Sequence, residues 1–256
     1  MQRITINKIK KKKGKVPITC LSAYSRDIAE ILDKYCDIIL IGDSVGMVLY
    51  GMKTTRDVSF DTMLLHAKTV KKFTKKSLVV FDMPYKTYLN KFDAYKNAKR
   101  VINLTKCDAV KLEGGKEMSK IIQYLTKKKI PVMGHIGLLP QSSKNFKLKG
   151  KTFSEKKKFL EDSIALSNSG VFAIVVECVV ESLAKKITNT IPVPTIGIGA
   201  SKYCDGQILV VDDMIGLTNF RPKFVKQYSK VRKIIEKSVR NYCRDVKKRR
   251  FPYNQN

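Results

Sequence analysis

Ionisable side chains close five successive apolar runs of this 256-residue chain. They are Asp43, Asp82, Glu113, His135 and Glu177. For any one of them, a strand that simply ends in solvent is an adequate explanation, but for five in succession that explanation is poor. If the runs are parallel strands of one barrel, their carboxyl ends meet at one mouth, and these side chains converge on a pocket. The sequence therefore predicts a functional site built from strand ends.

The carboxylates of this set favour a hard metal ion. Asp43 and Asp82, with Glu113 near, offer oxygen ligands without a thiolate or a histidine pair, which suits Mg²⁺ or a similar octahedral ion better than structural zinc. An ion held by two or three carboxylates keeps open positions, and the keto and carboxylate oxygens of a 2-oxo acid could occupy them as a chelate. Lys111 could neutralise residual negative charge, and Glu177 could remove a proton beside the polarised carbonyl.

The two histidines differ in their surroundings. His66 lies in an amphipathic stretch and is interpreted as a surface or packing residue. His135 follows the apolar residues 131–134, which favours a polar role at the pocket. The stretch 197–200, Gly-Ile-Gly-Ala, lacks the third glycine and the following helix of a phosphate loop, so it is interpreted as a strand end that allows close approach.

Short apolar runs alternate with longer amphipathic stretches, which is typical of βα units around a parallel sheet. Eight runs is the number of a (β/α)8 TIM barrel of the α/β class, and a chain of this length without a linker predicts one domain over residues 1–256. The predicted strands are Ile18–Ser22, Ile38–Asp43, Leu78–Asp82, Ala109–Glu113, Pro131–His135, Ala173–Glu177, Pro194–Gly199 and Ile208–Val211.

Helical periodicity is clearest from Phe60 to Phe73, behind candidate caps at Asp57 and Ser59. After the eighth strand, residues 221–247 predict one or two extra C-terminal helices. Their inward positions are predicted to be Val225, Tyr228, Val231, Ile235 and Val239. The other predicted helices are Arg26–Tyr35, Phe92–Thr105, Lys116–Lys128, Ser154–Ser169 and Leu183–Thr190.

The formal net charge is +29, from 51 basic and 22 acidic residues. The lysines are spread along helical stretches, which predicts a solvated basic surface and no nucleic-acid partner. The densest runs, Lys10–Lys13 and Lys247–Arg250, lie near the termini, where loose ends commonly carry charge, and neither is interleaved with stacking aromatic residues. A nucleic-acid-binding protein with the barrel as scaffold is the competing interpretation from another functional class.

Six cysteines form neither a Cys-x-x-Cys pair nor a zinc spacing, which is typical of reduced thiols in a cytosolic protein. No apolar run reaches the length of a signal peptide core or of a membrane span. We therefore expect a cytoplasmic protein that does not span a membrane.

Several short motifs together resemble the ketopantoate hydroxymethyltransferase family, and they occur in the family's order over most of the chain. They include Ile-Gly-Asp-Ser-Val-Gly-Met at 41–47, Asp-Met-Pro-Tyr at 82–85, Val-Lys-Leu-Glu-Gly-Gly at 110–115, Gly-His-Ile-Gly-Leu at 134–138, Pro-Gln-Ser at 140–142, Val-Glu-Cys-Val at 176–179, Ile-Gly-Ile-Gly-Ala at 196–200 and Asp-Gly-Gln at 205–207.

The resemblance implies a role for each residue of the set. Asp43, Asp82 and Glu113 would bind or surround Mg²⁺. Ser44 and Lys111 would join the two aspartates in holding the oxo acid. His135 would line the substrate pocket, and Glu177 would accept the proton.

The resemblance also implies the reaction and the assembly. A hydroxymethyl group would pass from 5,10-methylenetetrahydrofolate to 3-methyl-2-oxobutanoate through a Mg-stabilised enolate, giving 2-dehydropantoate and tetrahydrofolate in pantothenate biosynthesis. Family members form homo-oligomers, commonly decamers. Another Mg-dependent oxo-acid lyase or mutase on the same barrel is the alternative, since enolate stabilisation serves many reactions on this fold.

This chain departs from the family pattern at four places. Ser25 stands where an aspartate is usual, Ser201 replaces a common glycine, and Val211–Asp212 replaces a bulkier residue and a histidine. The loop at 143–149 is a few residues shorter and lacks a glycine pair before Phe146. None of these is in the metal set, so we expect them to affect folate contacts and loop closure more than proton removal.

Overall fold

A computed structural model of the chain describes residues 2–143, 147–219 and 222–252. Eight parallel strands form a closed barrel in the order of the sequence, each paired with its neighbours and β8 with β1. The predicted (β/α)8 barrel is therefore confirmed. The strands are β1 Ile18–Ser22, β2 Ile38–Ile41, β3 Leu78–Asp82, β4 Ala109–Glu113, β5 Val132–Gly137, β6 Ala173–Glu177, β7 Thr195–Ile198 and β8 Gly206–Leu209.

The chain divides into two compact units, Met1–Leu209 and Val210–Asn256. The first holds the barrel and α1–α8, and the second holds α9 and α10. The single domain expected from the sequence stays a prediction. The helices are α1 Ile6–Lys11, α2 Arg26–Tyr35, α3 Val45–Val48, α4 Phe60–Lys72, α5 Lys91–Thr105, α6 Ser119–Lys127, α7 Phe153–Asn168, α8 Glu181–Thr190, α9 Val211–Met214 and α10 Val231–Lys247.

Strand β8 lies earlier in the chain than the sequence predicted. It begins at Gly206 and ends at Leu209, because Val211 already begins α9. A glycine is uncommon inside a strand, so the sequence pattern did not indicate that β8 begins at Gly206. Here the glycine is required by packing, since a Cβ on Gly206 would lie 2.5 Å from the carbonyl oxygen of Ile18.

The interior of the barrel shows which strand positions face the mouth. Leu78, Val80, Ala173 and Val175 belong to the buried cluster inside the barrel, so alternation directs the ends of β3 and β6 inward as predicted. Strand β2 differs from β3 and β6. Its interior residues are Ile38 and Leu40, with Ile39 and Ile41 absent from the cluster. Asp43 therefore reaches the mouth through the turn after Ile41, and not by alternation along the strand.

Helix α1 was not predicted, and it lies at the N-terminal end of the barrel. Ile4 and Ile9 join the interior cluster. The lysine run that follows is not a loose end, because the Nζ of Lys12 lies 2.6 Å from Asp37, and the Nζ of Lys13 lies 2.7 Å from Asp205. Two aspartates beside the starts of β2 and β8 thus hold this segment against the barrel.

Helix α4 begins as the sequence predicted. Ser59 is its N-cap, and its hydroxyl accepts a hydrogen bond from the backbone N–H of Thr62. His66 on this helix is half-buried, with Nδ1 2.7 Å from the carbonyl oxygen of Tyr24 and Nε2 2.9 Å from the hydroxyl of Tyr50. These contacts fit the packing role predicted for His66.

In the C-terminal unit, the predicted inward face is wrong. Val225 is buried, but Tyr228, Ile235 and Val239 are exposed, and Val231 is only partly covered. Periodicity identifies the apolar face of a helix and does not show whether anything covers that face. Helix α10 begins at Val231, whereas Arg221, where the prediction began, lies outside the described residues.

The cysteines are all free thiols, and four of the six are buried. Within the described ranges, no helix has both the length and the apolar character needed to cross a membrane.

Candidate active site

The register of the barrel strands places the predicted residues beside one another. Asp82 pairs with Lys111 across β3 and β4, and Glu113 pairs with His135 across β4 and β5. Glu177 follows on β6. The structure therefore brings the strand-end residues together at one mouth of the barrel.

Lys111 is the one lysine or arginine that is buried in the described part of the chain. Its Nζ lies 2.6 Å from Asp82 Oδ1 and 3.9 Å from Glu113 Oε1. Burial alone would lower the pKa of Lys111, but the nearby carboxylates outweigh it and raise that pKa. A permanent positive charge therefore lies among the acidic groups.

Asp43 and Asp82 form the acidic end of the site. The backbone N–H of Asp43 points to Asp82 Oδ2 at 3.4 Å, so the two residues are adjacent. Burial raises the pKa of both carboxyl groups, and the charge of Asp82 raises the pKa of Asp43 further, against the opposing effect of Lys111. Two neighbouring buried carboxylates need additional positive charge to be ionised together.

His135 lies between two carboxylates. Its Nδ1 is 3.4 Å from Glu113 Oε1 and its Nε2 is 3.2 Å from Glu177 Oε2, although neither contact is aligned as a hydrogen bond. Burial and the charge of Lys111 would lower the pKa of His135, but the two carboxylates outweigh them and raise it to about 9. The carboxylates on its two sides therefore favour the imidazolium form of the ring. Burial would raise the pKa of Glu113, but His135 and Lys111 lower it.

Gln141 is a site residue that reasoning from the sequence did not single out. Its side-chain amide donates to Asp43 Oδ2 at 2.8 Å and to the carbonyl oxygen of Met83 at 3.0 Å, and its oxygen accepts from the Tyr88 hydroxyl. Its backbone N–H donates to Glu113 Oε2 at 3.1 Å. One residue thus holds two of the acidic groups. The available signal was an amide side chain directly after the apolar residues 138–140.

Ser44 follows Asp43 at the start of α3. Its hydroxyl lies 2.7 Å from the hydroxyl of Tyr24, so it is held in place beside the acidic pair. A Cβ on Gly42 would come within 2.9 Å of Ser44 Oγ. The glycine therefore leaves room for this hydroxyl.

Gly137 lets the end of β5 approach β6 at Glu177. Its φ of 97° lies in the region that favours glycine, and an added Cβ would lie 2.3 Å from the carbonyl oxygen of Glu177. Any side chain there would push the two strand ends apart and separate His135 from Glu177.

Three of the four departures from the family pattern lie wholly at described residues. Ser25 is exposed at the N-cap of α2, where serine and aspartate are both common. Ser201 is buried, and its hydroxyl accepts from the backbone N–H of Tyr203. Asp212 is buried in α9. The shortened loop includes residues 144–146, which lie outside the described residues.

The charges and donor atoms of the site fit a divalent cation. Four carboxylates face one lysine and one imidazolium, so a doubly charged ion would balance the set when all four are ionised. In the described ranges, no three His, Cys, Asp or Glu side chains already stand at metal-ligand spacing. Mg²⁺ is commonly bound through one or two carboxylates, with water and substrate completing its shell. Asp43 and Asp82 fit that mode.

Known proteins resemble this chain over nearly its whole length. The family model for ketopantoate hydroxymethyltransferase matches residues 3–254. A 3-methyl-2-oxobutanoate hydroxymethyltransferase of Pelagibacter ubique is 54% identical over 94% of this chain and 94% of its own length. The enzyme of the same name from Rhizobium etli is 48% identical over 98% of this chain and 94% of its own length.

A solved structure of phosphonopyruvate hydrolase with oxalate and Mg²⁺ shares the fold, with a TM-score of 0.64 and 11% identity over 95% of this chain and 88% of that one. At that identity, the likeness concerns the fold alone. The family model and the two relatives, and not this structure, identify the family of this chain. The chain belongs to the ketopantoate hydroxymethyltransferase family, enzymes that act as transferases in pantothenate biosynthesis.

Proposed function

We propose that this enzyme transfers a hydroxymethyl group from 5,10-methylenetetrahydrofolate to 3-methyl-2-oxobutanoate, giving 2-dehydropantoate and tetrahydrofolate. The observation that carries the proposal is the buried set in which the Asp43–Asp82 pair, Lys111 and the His135–Glu177 pair share one barrel mouth. A small anion that must be held, polarised and deprotonated needs each of these parts.

Asp43 and Asp82 would hold Mg²⁺, with Glu113 close by. When bound, the ion would draw electron density from the keto oxygen and make the C3 proton more acidic. Phosphonopyruvate hydrolase, which shares the fold, binds Mg²⁺ and oxalate, a two-carbon dicarboxylate. Lys111 and Ser44 would orient the oxo acid, since the ammonium attracts its carboxylate and the fixed hydroxyl can donate to an oxygen.

Glu177 would remove the proton from C3. Its carboxylate is the least buried acidic group of the set, with 14% of the side chain exposed, so it can face an incoming substrate. The imidazolium of His135 lies against one of its oxygens and would hold the carboxylate in position while lining the pocket. Glu113 on the other side of the ring would keep His135 charged.

The proposed transfer moves one carbon from the folate donor to C3 of the oxo acid. The C3–H electron pair becomes available when the proton passes to Glu177, and C3 forms a bond to the methylene carbon of the donor. The bonds from that carbon to the folate nitrogens break, and a water molecule supplies the new hydroxyl group. One folate nitrogen takes up the proton that Glu177 removed, the other takes up the remaining proton of the water, and the folate leaves as tetrahydrofolate.

The test is formation of 2-dehydropantoate, followed by mass spectrometry, with the oxo acid, the folate donor and Mg²⁺ omitted in turn. Product is expected only when all three are present. Consumption of the oxo acid without folate would instead indicate a lyase or mutase on this barrel. A cytoplasmic location and a homo-oligomer, commonly a decamer in this family, stay predictions.

A further inference from the structure

A cavity of about 300 Å³ lies beside the acidic site. We name it the Arg56 cavity. It is lined by Met47, Lys53, Thr54, Thr55, Arg56, Pro140 and Ser143. Its lining joins two basic side chains and several hydroxyl groups to two apolar residues, and none of the described residues that line it is acidic.

Two residues that line the Arg56 cavity each carry a buried polar atom. Within the described residues, neither the hydroxyl of Thr55 nor the Nε of Arg56 makes a hydrogen bond. Thr55 is only 4% exposed. Leaving buried polar groups unpaired costs free energy, so such groups commonly have a bound partner. The guanidinium of Arg56 is also held over the ring of Tyr85 at 5.5 Å from its centroid, which limits its freedom.

The cavity shares two chain segments with the acidic site. Met47 follows Asp43 and Ser44 in α3, and Pro140 directly precedes Gln141, whose amide contacts Asp43. A ligand in the cavity therefore lies next to the reacting groups. The basic side chains favour an anionic ligand, and a guanidinium suits a carboxylate especially well.

We propose that the Arg56 cavity binds the p-aminobenzoylglutamate part of the folate donor, an inference that rests on the proposed function. Arg56 and Thr55 bind a glutamate carboxylate, Lys53 adds positive charge at the rim, and the aromatic ring lies against Met47 and Pro140. A volume of about 300 Å³ is at the small end for a whole drug-sized ligand. The cavity therefore takes one part of the donor, and the pterin extends toward the acidic site.

The experiment measures binding of p-aminobenzoyl-L-glutamate to the full chain by calorimetry, together with the KM for the folate donor. Arg56→Gln is expected to weaken binding of the fragment and raise the donor KM about ten-fold or more, because a charge-assisted contact is lost. Arg100→Gln is the matched control. Its guanidinium also lies over an aromatic ring, that of Phe60 at 5.1 Å, but it lies outside the cavity, and both constants should stay at parent values.

Thr55→Val separates ligand binding from a structural role. Since the hydroxyl has no hydrogen-bond partner within the described ranges, its removal should leave the melting temperature unchanged or higher, yet weaken binding of the fragment about five-fold. Parent-like binding in both Arg56→Gln and Thr55→Val, or no measurable binding by the parent, would overturn the proposal. Exchange of the C3 proton of the oxo acid, measured without folate, reports separately on the acidic site, so failure of the proposed function would be seen there.

Discussion

Replacing Lys111 by methionine should destabilise the protein strongly, because it leaves Asp82 buried without its cation. At 2.6 Å and an effective dielectric constant of about 20, the attraction between these two charges is on the order of 6 kcal/mol before desolvation is counted. Since methionine is not itself costly to bury, the expected net loss in the free energy of unfolding is about 3–5 kcal/mol.

Urea unfolding in the presence of a metal chelator measures this loss, because no added cation can then replace the ammonium. The double variant Lys111→Met/Asp82→Asn removes both charges, so the two changes should couple by at least about 2 kcal/mol. Lys120→Met, an exposed lysine on α6, serves as the control and should resemble the parent. A loss below about 1 kcal/mol for Lys111→Met, or strict additivity in the double variant, would refute the reasoning.

Three further predictions concern the metal pair, the basic surface and a carboxylate on helix α2. Asp43→Ala or Asp82→Ala should abolish turnover and weaken Mg²⁺ binding in calorimetry, while the circular dichroism spectrum remains that of a folded protein. Near-normal turnover would contradict the metal assignment. The lysine-rich surface should show no saturable DNA binding in gel shifts near 0.15 M salt, where charges are screened beyond roughly 8 Å, and micromolar affinity would contradict this. Burial would raise the pKa of Asp33, but backbone N–H groups of residues 75–77 outweigh it and lower that pKa. Its stabilising contribution is therefore present above the unfolded pKa of about 3.9 and is lost as pH falls through the lower folded value. Asp33→Ala should cost about 1–2 kcal/mol at pH 7 and less near pH 2, and an equal cost at both pH values would exclude this origin.

The sequence predicted the barrel and most of its acidic site because both depend on local patterns. An apolar run that ends in a charged residue marks a buried strand and its carboxyl end, and in a parallel barrel all such ends share one mouth. Asp82, Glu113 and Glu177 close strands at the predicted positions. Once the order of the strands is known, it predicts that these three side chains lie close together.

What the sequence could not predict depends on contacts between distant segments. Gln141 binds Asp43 from nearly a hundred residues away, and nothing in its neighbourhood indicates that partner. The lysines after α1 resemble a solvated tail until Asp37 and Asp205 are placed beside them. The pattern of α10 predicts an inward apolar face, because periodicity shows which face of a helix is apolar. It does not show whether another segment covers that face.

The most direct test of the central claim is exchange of the C3 proton of 3-methyl-2-oxobutanoate with deuterated water, followed by NMR without folate. The parent should exchange it only with Mg²⁺ present. Glu177→Gln keeps the shape of the side chain and removes its basicity, so it should still bind Mg²⁺ and the oxo acid while exchange slows about 10²- to 10⁴-fold. Exchange as fast as in the parent would contradict the account, since Glu177 could not then be the base.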